Sequence, residues 1–292
     1  MKKNTNAFVR HWTPAASEGR LGHSLFRSGP TIIDWSAQHY DSFAMERQRA
    51  ARELIDAVPL TSARSVTDLG CGSGLSTTLL TERWPDAKIT GIDQSADMLT
   101  AATRRVPDAH FVQGNIAKFV AAEPQDLIVA NASLHWLPNH EALLPKLMQQ
   151  VSLGGCLAVQ MPNNLDEPSH RLMQAVAELP DYASHLQAFK SQRSALLTAE
   201  EYYDLLIPYC ESLRLWETHY QHLLSGAEEI VAWFASTGLK PFLDMLPAEK
   251  RSAFQTHYRH RVSQAYAPRV DGKVMLRLPR VFILATRKHH RG

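Results

Sequence analysis

Residues Val66 to Leu80, Val-Thr-Asp-Leu-Gly-Cys-Gly-Ser-Gly-Leu-Ser-Thr-Thr-Leu-Leu, constrain this chain more than any other stretch. A short apolar run enters a turn with glycine at three alternate positions, Gly70, Gly72 and Gly74, and leaves it into helix-forming sequence. Glycine lets the backbone take positive φ and puts no Cβ between the main chain and a ligand. A dinucleotide fingerprint would space its glycines GxGxxG, with a pyrophosphate on the helix N-terminus. Here the third glycine comes one residue early and Leu75 follows it, so the turn suits a ligand without phosphates.

The following residues keep a strand–helix rhythm. Phe43 to Val58 has the spacing of an amphipathic helix and stops at Pro59. Residues 65–69 read as a strand, 75–84 as a helix closed by Trp84-Pro85, Lys88 to Asp93 as a second strand and Ser95 to Val106 as a second helix. His110 to Gly114, Asp126 to Asn131 and Cys156 to Met161 read as further strands, with a helix at about 141–150. Strands and helices alternating at this spacing imply right-handed crossovers and an open parallel sheet. Ligands in such sheets lie at the carboxyl ends of the strands. After Pro162 the rhythm changes. Residues 167–206 and 226–264 look mainly helical, with aromatics at Tyr182, Phe189, Tyr202, Tyr203, Trp233, Phe234 and Phe242. Two strand-like stretches, Leu213 to Tyr220 and Val281 to Ala285, complete the sheet. The expectation is an α/β fold: a Rossmann-like, mostly parallel sheet flanked by helices. Helical cap segments at about 163–208 and 225–270 would cover the carboxyl edge.

Residues 1–33 carry Lys2, Lys3, Arg10, Arg20 and Arg27 against a single Glu18, with little periodicity, and read as a flexible extension. The domain proper would run from 34 to 288, and 289–292 would be a tail. A formal charge of +2 from 31 basic and 29 acidic residues argues against a nucleic-acid binder. No apolar run approaches the roughly 18 residues of a membrane span. Three cysteines, Cys71, Cys156 and Cys210, form no CxxC pair, which suggests neither disulfide nor zinc and fits a cytoplasmic protein. His257, His260, His289 and His290 lack the spacing of a metal site. The expected oligomeric state is monomer or homodimer.

Asp93 ends the second strand, 19 residues after Gly74, where an acidic residue accepts hydrogen bonds from ribose hydroxyls. The alternative is a helix cap, a role Ser95 could serve instead. Taken together, Asp68-Leu-Gly-Cys-Gly-Ser-Gly74 and the acid at 93 resemble the class I S-adenosylmethionine-dependent methyltransferases, whose first motif is an acidic residue followed by xGxGxG. The resemblance implies S-adenosylmethionine as cofactor, bound by Asp68, Gly70, Cys71, Gly72, Gly74, Asp93, Gln94, Asn115, Ile116 and Asn131. Asp68 would reach toward the methionine ammonium. Asn115 stands where this superfamily commonly has Asp to accept from the adenine amino group, and its carboxamide keeps a carbonyl acceptor.

Further segments narrow the resemblance: Trp84-Pro-Asp-Ala-Lys-Ile-Thr-Gly-Ile-Asp93, Asn131-Ala-Ser-Leu-His-Trp-Leu-Pro138, Leu157-Ala-Val-Gln-Met-Pro162, Glu167-Pro-Ser-His170, Thr237-Gly-Leu-Lys-Pro-Phe242 and Leu278-Pro-Arg-Val-Phe282. Over about residues 34–288 the chain is similar to the trans-aconitate 2-methyltransferase family. It departs from that family at Asn115, at Ala50 in place of Pro, and around 181–196. The resemblance implies transfer of a methyl group to a carboxylate of a small polycarboxylic acid, with a monomethyl ester and S-adenosylhomocysteine as products. The rivals are methylation of another free carboxyl, including one linked to an acyl carrier protein, and a cofactor-binding sensor without chemistry.

Such chemistry asks little of the protein. A carboxylate is already ionised near neutral pH, so no general base is required; His135 could be a base for a different substrate, or equally a partly buried histidine hydrogen-bonded near the pocket mouth. Cations must hold the substrate's other carboxylates, and arginine's planar fork is the best donor. The candidates are Arg47, Arg49, Arg193 and Arg280, with Arg47 and Arg280 ranked first. Trp35, Tyr40, Ser133, His135 and Trp136 would wall the substrate pocket, whereas Trp233 reads as cap core.

Overall fold

The computed structural model describes residues 44–187, 195–235 and 237–289, with the side chains before Gln48 outside that description. The 1–33 extension, Trp35, Tyr40, the Arg47 side chain, Phe189, Arg193 and His290 therefore lie outside the described residues.

Helix α1 (Ala44–Ala57) precedes strand β1 (Ser65–Leu69), the glycine turn and α2 (Leu75–Arg83). Then come β2 (Lys88–Asp93), α3 (Ala96–Arg105), β3 (His110–Gln113), β4 (Gln125–Asn131), α4 (His140–Gln150) and β5 (Val151–Pro162). Seven strands lie in the order β3-β2-β1-β4-β5-β7-β6, the last two being β6 (Cys210–Leu224) and β7 (Val274–Arg287). All neighbours up to β5 are parallel, while β7 runs antiparallel to both β5 and β6. The α/β, mostly parallel sheet is as expected.

The sheet separates two apolar layers. Val66, Leu127, Val129, Cys156, Ala158, Phe282 and Leu284 pack on the side of α1 and α2. Leu69, Ile128, Ala130, Leu157, Val159 and Ile283 pack on the side of α4. Alternate residues of one strand thus belong to opposite layers, as the pleat requires.

The last two strands are much longer than the expected Leu213–Tyr220 and Val281–Ala285. Pairing of β6 with β7 runs from Cys210↔Arg287 to Leu224↔Val274, whereas β5 meets β7 only from Arg280 to Thr286. The remainder, 219–224 and 274–279, projects past β5 as a two-stranded arm. Pro279 lies within β7, opposite His219 of β6 and just beyond the end of β5. Its carbonyl accepts from Asn163 N (2.9 Å), so its nitrogen faces the side where no strand asks for an N–H.

Helices α5 (Pro168–Ala177), α6 (Pro180–Leu186), α8 (Ala227–Ala235), α9 (Lys240–Met245) and α10 (Ala248–Ala265) close around this arm. Their Met173, Val176, Tyr182, Ile230, Trp233, Phe254 and Tyr258 form a second core with Leu224, Val274, Leu276 and Leu278 of the arm. Arg277 fastens the arm to the start of α5, donating from Nε and Nη2 to Oε1 of Glu167. The sequence placed 199–206 in the cap, but α7 (Ala199–Leu206) packs in the sheet's α4 layer instead. Its buried Tyr202 hydroxyl lies 2.7 Å from His140 Nδ1, and His140 Nε2 lies 3.0 Å from the Leu134 carbonyl. Among the described residues no helix is long and apolar enough to cross a membrane. Those residues also hold no group of three or more His, Cys, Asp or Glu placed to bind a metal ion.

Candidate functional site

The glycine turn leaves β1 at the carboxyl edge of the sheet, and Gly70, Gly72 and Gly74 take φ of 73°, 53° and 84°. Gly70 N and Cys71 N both donate to Ile92 O (2.7 and 3.1 Å), pinning the turn to β2. A Cβ on Gly70 would run into the side chain of Ser133, and one on Gly74 would lie 3.1 Å from Ala102 Cα on α3. Around Gly72 a Cβ would meet nothing within 4 Å. Two of the glycines therefore serve close packing, and Gly72 alone faces open space.

Two acids hold the turn and the helix that follows it. Asp68 is fully buried; its Oδ2 accepts from Ser76 Oγ (2.8 Å) and Thr77 Oγ1 (2.7 Å). Oδ1, equally buried, has no partner among the described residues. Burial pushes the Asp68 carboxyl up to about 6, against the pull of the two hydroxyls and with a further push from Asp93. Asp93 is raised too, chiefly by burial, while Oδ2 accepts from Gly72 N (3.0 Å) and Oδ1 from Ser95 N (2.9 Å). Ser95 caps α3 by accepting from Met98 N (3.3 Å), which frees Asp93 from that duty. Two neighbouring acids raised by burial favour a cationic ligand nearby and disfavour phosphate. The Cys71 thiol, raised by burial and then by both acids, stays protonated.

The residues expected on the adenine side are less simple. Asn115 Oδ1 accepts from Ala117 N (2.9 Å) and caps the 3-10 turn Ile116–Lys118, so the oxygen expected to face the adenine is already engaged. The carbonyl of Gln94 accepts from Gln113 Nε2 (2.9 Å), and the Gln94 side chain is exposed. Ile116 is half-buried beside Gly70.

At the exit of β4, Asn131 Oδ1 is buried without a partner among the described residues. Ala132 takes φ 52°, an uncommon conformation for a side chain bearing Cβ and one that often marks a functional bend. Ser133, expected in the substrate wall, donates from Oγ to Leu69 O (2.6 Å) and ties β4 to β1. His135 is buried against Trp136, with ring centroids 4.9 Å apart.

The arginine side is built by α1, β6 and β7. Glu53 of α1 accepts from Trp216 Nε1 (2.8 Å), Thr218 Oγ1 (2.6 Å) and the Tyr220 hydroxyl. Burial pushes its carboxyl up, but these donors and the Arg49 charge outweigh that and hold it below the ordinary value. Arg49, one turn earlier, lies 5.2 Å over the Tyr220 ring. Arg280 is opposite Thr218 in the β6–β7 pairing. His222, on the same face of β6, is pushed down to about 4 by burial and by the charges of Arg280 and Arg49. Trp233 covers it from the cap at 4.7 Å. Two guanidiniums thus converge on a neutral histidine.

The structure brings Arg49 and Arg280 together, whereas of the Arg47 and Arg193 side chains nothing is described. His257 belongs to the cap, 3.0 Å from the Tyr182 hydroxyl. Sequence reasoning missed Glu53, Tyr220, His222 and Gln160. The alternation Trp216-x-Thr218-x-Tyr220-x-His222 held the signal for one polar strand face. Gln160 looked like an ordinary member of an apolar strand.

Known proteins bear on this arrangement. A methyltransferase-domain family profile matches residues 66–155. A trans-aconitate 2-methyltransferase of Afipia carboxidovorans is 48% identical over 256 residues, which is 88% of this chain and 100% of that protein. One from Methylobacterium nodulans is 46% identical over 88% of this chain and 99% of that protein. In overall fold the chain is similar to the YcgJ protein of Bacillus subtilis, with a TM-score of 0.55 at 12% identity over 83% of this chain and 100% of that one.

Proposed function

Because the chain belongs to the trans-aconitate 2-methyltransferase family, we propose that it methylates a carboxylate of a small polycarboxylic acid, trans-aconitate foremost, using S-adenosylmethionine. The products are a monomethyl ester and S-adenosylhomocysteine. The observation that carries the acceptor class is the placement of Arg49 over Tyr220 and of Arg280 opposite Thr218, on one strand face with β7 two neighbours from β4.

The residues suit the cofactor. The unpaired Asp68 Oδ1 would accept from its ammonium, Gly72 leaves room for its bulk, and Asp93 would take its ribose hydroxyls. Bound there, S-adenosylmethionine supplies a methyl group made electrophilic by the sulfonium. Gly72 N and Ser95 N already donate to Asp93 Oδ2 and Oδ1, and the Gln94 backbone adds a third bond, but a carboxylate has about four acceptor sites and so keeps capacity for a ribose donor.

No residue has to take a proton, because the acceptor carboxylate is already ionised at neutral pH. The protein's contribution is placement, which can supply about 7–11 kcal/mol of a bimolecular barrier. Arg49 and Arg280 would hold the non-reacting carboxylates. His222, kept neutral, adds no third charge to compete for the reacting one. Burial of Cys71, Cys156 and Cys210 as free thiols suits a reducing cytoplasm.

The test is release of S-adenosylhomocysteine from wild type, Arg49→Ala and Arg280→Ala, with trans-aconitate and a monocarboxylate of similar size. Wild type should prefer trans-aconitate, and each variant should lose more than tenfold in kcat/KM for it, about 1.5 kcal/mol or more. Equal turnover of both acids by wild type would sink the polycarboxylate assignment.

A further inference from the structure

Gln160 lies near the carboxyl end of β5, and its side chain is completely buried. Neither Oε1 nor Nε2 has a hydrogen-bond partner among the described residues. Folding does not retain such a group for stability, since an apolar side chain of similar shape would spare the desolvation of two polar atoms.

Its surroundings indicate what it waits for. Register places Gln160 beside Asn131 of β4 and opposite Phe282 of β7, and places Pro162, two residues on, opposite Arg280. Strand neighbours in register share a face, as do residues two apart on one strand. Asp68, Asn131, Gln160 and Arg280 therefore share the face that α1 covers, in strand order β1, β4, β5, β7. At one end of this row is the unpaired Asp68 oxygen, and at the other are the guanidiniums. The Asn131 Oδ1 next to Gln160 is also buried and unpaired. An unpaired donor and acceptor between the cofactor's acid and the substrate's arginines stand where the two reactants must meet.

We propose that Gln160 binds the reacting carboxylate of the acceptor, donating from Nε2 to the oxygen that does not attack and so orienting the one that does. This rests on the carboxyl-methylation assignment above. A carboxamide suits the task because it is a neutral donor: it orients the anion without the full charge that would blunt its nucleophilicity.

The test compares wild type with Gln160→Met and Gln160→Glu by thermal melt, S-adenosylhomocysteine titration and kinetics with trans-aconitate. Gln160→Met should melt no lower than wild type and bind S-adenosylhomocysteine within about twofold, yet lose at least tenfold in kcat/KM. Gln160→Glu should lose more at neutral pH, by repelling the acceptor, and recover part of the loss as pH is lowered. A Gln160→Met protein with wild-type kcat/KM overturns the role. So does a lowered melting temperature, which would make the amide structural, or weakened S-adenosylhomocysteine binding, which would assign it to the cofactor. Wild type inactive on every carboxylate would sink the parent assignment and this one together. Active wild type with an unaffected Gln160→Met removes Gln160 alone.

Discussion

At the scale of single residues, three glycines that look alike in sequence have different physical reasons. Gly70 is fixed by Ser133 and Gly74 by Ala102, while only Gly72 keeps a space clear. Gly70→Ala should lower Tm by several degrees, because a Cβ must displace Ser133, which holds β4 to β1. Gly72→Asn should melt close to wild type, since Asn tolerates the left-handed region better than other residues bearing Cβ. Its side chain would nonetheless fill the cofactor's space and weaken S-adenosylhomocysteine binding by at least tenfold. Paired melts and titrations check both, and undiminished binding by folded Gly72→Asn would make the turn purely architectural.

Among elements, α1 joins the two halves of the site. Its apolar face, Ala50, Ala51, Leu54 and Ile55, packs on the sheet, and Gln48 and Ala51 border the glycine turn. Through Glu53 it also grips three donors spaced two apart on β6. Glu53→Ala would leave those donors without their acceptor and should destabilise the protein by about 1–3 kcal/mol. Arg49, one turn away, should lose its register over Tyr220 as a result. We therefore expect the KM for trans-aconitate to rise in Glu53→Ala while S-adenosylhomocysteine affinity holds. Chemical denaturation and steady-state kinetics measure both effects, and an unchanged KM would show that Arg49 is placed by other means.

For the whole molecule, the buried acids imply a pH signature. The Asp68 carboxyl is ordinarily at 3.8 and stands at about 6 in the fold. Below about pH 4 both folded and unfolded chains carry that proton, so the group costs nothing. As pH rises toward 6 the unfolded chain releases it first, and stability falls by on the order of 3 kcal/mol. Glu53 runs oppositely: held below 4.5, its contribution is full above that value and lost as pH falls through its folded one. Urea melts should show a decline in stability between pH 4 and 6 that Asp68→Asn flattens; an equal slope in both proteins would contradict it. Cofactor affinity should fall below pH 6, because a protonated Asp68 offers no charge to an ammonium.

The sequence by itself determined the first half of the fold and the chemistry of its turn. Strands β1 to β4 begin and end within about a residue of the limits read from their apolar runs, because such boundaries are set by neighbouring residues. The acids Asp68 and Asp93 were legible for the same reason: the glycine spacing and the strand end that identify them are local. What only the tertiary structure decided is which polar groups meet. Ser133 and Gln160 carry nothing in their neighbouring residues to say that one is spent on the Leu69 carbonyl and the other left unpaired. Arg280 acquires its setting from pairing with β6, and Arg49 from the docking of α1 on the same strand. Burial and strand register are set by contacts between segments far apart in the chain, and those contacts exist only once it has folded.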